Sequence, residues 1–101
     1  MLESFAVSCF NRWLESNRKD FERFTLREEF SARPGRSSNI QIETPTHIIS
    51  LCAWDQGNAL EIQVIDLSSE ATNIEDGACE TENELMARLA LFLGWFEQIH
   101  E

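Results

Sequence analysis

Basic residues are scarce in this chain and unevenly placed. From Ser37 to Ala87 there is no lysine or arginine, and residues 37–101 hold twelve acids against Arg88 alone. The other seven bases (Arg12, Arg18, Lys19, Arg23, Arg27, Arg33 and Arg36) lie in residues 1–36 beside six acids, so the net charge of −10 belongs to the second part. Such a field repels nucleic acid and anionic membranes and attracts basic surfaces; it also serves solubility. Long apolar runs are missing too. The longest, Leu89 to Leu93 with Trp95 and Phe96 beyond Gly94, falls far short of the roughly 20 residues of a membrane span. The start, Met1-Leu2-Glu3-Ser4-Phe5, has no basic n-region and no apolar h-region. The expectation is one soluble domain over residues 1–101, located in the cytoplasm, with no membrane or nucleic-acid partner.

The residues of catalysis are also thin. There is no tyrosine, no glycine-rich phosphate loop and no Gly-x-Ser-x-Gly elbow. The three cysteines (Cys9, Cys52 and Cys79) form no Cys-x-x-Cys pair and suit a reducing compartment, where free Cys packs as a small hydrophobe. Together with His47 and His100 they lack zinc-finger spacing. His47 and Cys52, five residues apart on one predicted strand, point to opposite faces and cannot act as base and nucleophile. Asp66, Ser68, Glu70 and Thr72 alternate like a calcium loop, but Ala71 stands where the EF-hand turn needs Gly. The expectation is a non-enzyme with no cofactor and no metal.

What is present is enough for a core: 43% hydrophobic residues, with seven Phe and three Trp. From about Leu2 to about Asp20, with a reach toward Phe24, Leu2, Ala6, Cys9, Phe10, Trp13, Leu14, Phe21 and Phe24 share one helical face. Trp13 is therefore a packing residue. Strand signals follow. Phe24, Leu26, Phe30 and Ala32 alternate up to Pro34-Gly35, Asn39–Glu43 alternates up to Pro45, and Thr46–Trp54 is apolar on both faces. Asp55-Gln56-Gly57-Asn58 is a turn, and Ala59–Leu67 returns with Leu60, Ile62 and Val64 on one face and Glu61 and Gln63 on the other. The segment from Leu67 to Glu80 is acidic, with room for a fifth strand near Ile74.

Thr81-Glu82-Asn83-Glu84 is a capping box for a helix running to about Ile99. Its stripe is Leu85, Leu89, Phe92, Phe96 and Ile99, with Leu91 and Trp95 on a second apolar edge. Burial of that edge against the first helix is the simpler expectation, and exposure for a dimer or partner is the other. The predicted fold is α+β: an N-terminal helix, a four- to five-stranded antiparallel meander sheet and a C-terminal helix, both helices on one sheet face.

The hairpin carries a more specific signal. Trp54 ends a strand, Gly57 sits in the short turn, and Glu61-Ile62-Gln63-Val64-Ile65-Asp66 follows. This pattern, with the order helix, meander, acidic segment, helix, resembles the TriTu family of bacterial immunity proteins. The resemblance implies an antitoxin that covers the active site of a cognate secreted toxin. The acidity independently suits a toxin with a basic cleft, which an acidic inhibitor complements and approaches faster. The expected partner-binding residues are Asp55, Asp66, Glu70, Glu75, Asp76 and Glu80; Trp54 fits hairpin packing or an interface anchor equally. The alternatives are a type III secretion chaperone, which binds an effector segment as a homodimer, and a small ligand-binding domain or enzyme in a sheet cup. The oligomeric state stays open, a dimer included.

Overall fold

The computed structural model describes residues 3–31 and 36–100. In chain order they form helix α1 (Ala6–Glu22), strands β1 (Thr25–Ser31), β2 (Ser37–Glu43) and β3 (His47–Trp54), a 3-10 turn (Gln56–Asn58), β4 (Ala59–Asp66), β5 (Thr72–Ala78) and helix α2 (Glu82–Ile99). The strands make one antiparallel sheet in the order β1-β2-β3-β4-β5, each paired with its neighbour in sequence. This is the predicted α+β meander, with the strand around Ile74 present as β5.

Helix α1 buries Ala6, Cys9, Phe10, Trp13, Leu14 and Phe21, the face that 3.6-residue spacing selects. It begins at Ala6 rather than near Leu2, which lies outside the described residues together with Ala32, Pro34 and Gly35 of the predicted β1–β2 boundary. On the sheet, alternation decides burial. Ser38, Ile40 and Ile42 of β2, Ile49, Leu51 and Ala53 of β3, and Leu60 and Ile62 of β4 point under the helices and are buried. Trp13, Phe21, Phe92 and Phe96 join the two helices through ring contacts of 5.1 to 6.4 Å between centroids. Each such ring contributes about 1.5–3 kcal/mol by leaving water.

Thr81 caps α2, its Oγ1 accepting from the Glu84 amide at 3.1 Å. The Glu84 carboxylate reaches back one residue further than a simple box requires, to the Glu80 amide at 2.9 Å. Leu85, Leu89, Phe92 and Phe96 are buried, while Ile99, the last of the expected stripe, is exposed.

The expectation that Leu91 and Trp95 lie against the first helix is wrong. Leu91 is 77% exposed. It lines a groove of about 200 Å³ with Ile62, Val64, Glu75, Arg88, Phe92 and Trp95, on the side of α2 that faces β4 and β5. Trp95 is half-buried, edge-on to His47 at 5.4 Å and tilted on Phe92 at 6.0 Å. The physical reason is that α1 meets α2 through the Phe92–Phe96 face, which turns Leu91 outward. The helix layer stops short of β5, every residue of which is exposed.

Candidate functional site

The six acids expected to bind a partner do not form one patch. Asp55 and Glu80 lie at one end of the sheet, Asp66 and Glu70 at the other, separated by the length of β4, roughly 25 Å. Glu75 and Asp76, adjacent on the edge strand, point to opposite faces.

Asp55 is built into the fold. Its side chain is only 11% exposed; Oδ2 accepts from Arg36 Nε at 2.7 Å, and Oδ1 accepts from the Val7 amide at 3.0 Å. Its neighbour Asn58, buried at a positive φ of 46°, accepts from the Phe5 and Ala6 amides at 2.9 and 3.2 Å and donates to the Glu3 carbonyl at 3.1 Å. Helix α1 has no local side-chain cap; the β3–β4 turn supplies one from about fifty residues away. Gly57, at a φ of 71°, makes that turn possible. Three orphan amides of a helix start are thereby satisfied.

Asp66 organises the β4–β5 turn. Its carboxylate accepts from the Ser68 hydroxyl at 2.7 Å and from the Ser68 and Ser69 amides at 2.9 and 3.3 Å. These bonds hold its pKa below the usual carboxylate range, led by the Ser68 hydroxyl. Glu70 stands exposed in the same turn at a φ of 62°. Glu75 lies on the helix side, 3.4 Å from Arg88 Nε. Arg88 is the lone base of the acidic half. Its Nη1 also donates to the Gly77 carbonyl at 3.3 Å and to Cys79 Sγ at 3.4 Å, which fastens the end of the edge strand to α2. Sequence reasoning missed both Asn58 and Arg88, because each acts across elements far apart in the chain.

Asp76 belongs to a different surface. The sheet face turned away from the helices has no covering layer among the described residues. By strand register its successive rows read Thr25–Glu43–Ile48–Ile65–Thr72, Arg27–Gln41–Ser50–Gln63–Ile74, Glu29–Asn39–Cys52–Glu61–Asp76 and Ser31–Ser37–Trp54–Ala59–Ala78. Two apolar areas, Ile48–Ile65–Ile74 and Trp54–Ala59–Ala78, thus flank a polar belt containing Glu29, Glu61 and Asp76. Arg27 is the one described base on this face. Ile74 is 59% exposed, and Trp54 is half-buried, with no ring partner among the described residues.

His47 and Cys52 do lie on opposite faces, as their spacing required. Burial, with the Glu61 charge opposite it, pushes the Cys52 thiol up to about 11, so at neutral pH it is a thiol and not a nucleophile. His100 Nδ1 donates to the Phe96 carbonyl (3.1 Å), its Nε2 lies 3.0 Å from Thr44 Oγ1, and burial lowers its pKa. Among the described residues no group of three His, Cys, Asp or Glu could hold a metal ion.

These features define a class: a small α+β domain with both helices on one face of a meander and a bare, acid-bearing sheet on the other. The chain belongs to the TriTu family of immunity proteins, whose family model, immunity protein TriTu, matches residues 8–96. No curated protein and no solved structure matches it significantly. The match agrees with the resemblance carried by the Trp54–Asp66 hairpin, and the secretion-chaperone alternative draws no support from it.

Proposed function

We propose that this immunity protein neutralises a cognate secreted toxin by binding it and covering its active site, without chemistry of its own. The protection takes place in the cytoplasm of the cell that makes it. The observation that carries this is family membership across nearly the whole chain, joined to an acid excess that internal ion pairs leave largely unspent. Arg12 pairs with Glu82, Arg18 with Glu15 and Glu28, Arg36 with Asp55, and Arg88 with Glu75. Among the described residues Glu61, Glu70, Asp76 and Glu97 meet no cation. A basic cleft, as toxins acting on nucleic acids or nucleotides require, is the complementary surface, and the long-range field speeds encounter.

The test is co-expression. The open reading frame next to this gene is expressed in a naive host with and without the protein. Killing that the protein abolishes supports the proposal; toxicity that it leaves untouched refutes it. With purified components, association should slow steeply as salt rises through the range where the screening length falls from about 30 to about 10 Å.

A further inference from the structure

We infer that the bare sheet face is the surface that grips the toxin, and that its occupant is a basic element whose cationic side chains seat between Glu61 and Asp76. This rests on the immunity function proposed above and deepens it. The edge acids and turn acids are spread around the molecule, and several are committed: Asp55 to Arg36 and α1, Asp66 to its own turn, Glu75 to Arg88. Among the described residues, Glu61 and Asp76 are not. They sit directly opposite each other on β4 and β5, on the same face. Like charges in that position disfavour strand pairing. A cation placed between them removes the repulsion and adds an attraction, so binding gains where the free protein loses.

The surroundings fit an interface. Apolar residues lie on both sides of the belt, Ile48, Ile65 and Ile74 at one end and Trp54 with Ala59 at the other, and a docked partner would dry them while cations meet the acids. Arg27, the described base of this face, lies on β1, three strands away from β4. A second copy of the chain is the wrong occupant. It would bring the same acids, and a net charge of −10, against themselves. The groove beside Leu91 is the rival surface, but its rim acid Glu75 is already matched by Arg88.

The experiment pairs two readouts on the double variant Glu61→Gln/Asp76→Asn, with Leu91→Ser as the comparison. Thermal unfolding of the free protein should show the double variant as stable as wild type or more so. Binding to a catalytically inactivated toxin domain from the neighbouring reading frame should weaken roughly ten-fold or more, with slower association at low salt. Leu91→Ser should bind as wild type does. Wild-type affinity in the double variant overturns the inference and leaves the immunity function standing, as does loss of binding confined to Leu91→Ser. A wild-type chain that neither binds nor protects overturns both.

Discussion

Replacing Asn58 with alanine should be among the most damaging single changes outside the aromatic core. The side chain is buried and makes three hydrogen bonds to the chain entering α1, at 2.9, 3.2 and 3.1 Å. Alanine leaves the Phe5 and Ala6 amides without their acceptor. Loss of a helix cap costs about 0.5–2 kcal/mol, and buried donors left unsatisfied cost about 1–3 kcal/mol. Alanine at a φ of 46° adds about 1 kcal/mol of backbone strain. The parts overlap, and a total of about 3–4 kcal/mol is expected. For a domain of this size that lowers Tm by roughly 15 °C or more. Urea unfolding followed by far-UV circular dichroism measures it, with Asn58→Gly as the internal check. Glycine accepts the positive φ but cannot cap, so it should recover about 1 kcal/mol relative to alanine. An Asn58→Ala variant within about 1 kcal/mol of wild type would refute the assignment of this residue as the cap of α1.

Two further outcomes are expected. Burial lowers the pKa of His100, with the nearby His47 and Arg23 adding to the shift against the raising effect of the Phe96 carbonyl. The unfolded chain therefore binds the proton more readily: the contribution is fully present above about pH 6.5 and is lost as pH falls through the folded value. Urea midpoints at pH 8 and pH 5 should differ more for wild type than for His100→Gln, and equal differences would remove His100 from the pH response. Arg88→Ala should raise amide exchange in Thr72–Ala78 well before it changes global stability, because Arg88 joins α2 to this edge through Glu75, Gly77 and Cys79. Unchanged exchange in β5 would mean that sheet pairing alone holds the strand.

Much of the fold was legible because the core obeys short periods. The stripe from Ala6 to Phe21, the alternation of Leu60 and Ile62 against Glu61 and Gln63, and the Thr81 cap are local patterns, and each appears where the spacing put it. Leu91 was misjudged because periodicity says which residues share a helix edge, not which neighbour reaches it. Asp55 looked like a free charge at a hairpin tip; its partners Arg36 and Val7 are brought to it only by the folded sheet. The pairing of Glu61 with Asp76 was equally hidden, since it depends on register across the β4–β5 turn. Acidity was visible in the sequence, but its division into committed and uncommitted acids was not.

The borrowed cap also has a bearing on how the chain matures as it leaves the ribosome. Helix α1 is made before the hairpin, yet the side chains that finish its first turn belong to residues 55 and 58. Until that hairpin emerges, the opening helix carries unsatisfied amides and an apolar stripe with no sheet beneath it. Each later strand then adds beside the one before it, in the order of synthesis. Helix α2, made after the sheet, brings Phe92 and Phe96 onto Phe21 and Trp13 and closes the core. Chains that stop before α2 would therefore display the aromatic cluster of Trp13 and Phe21 to solvent.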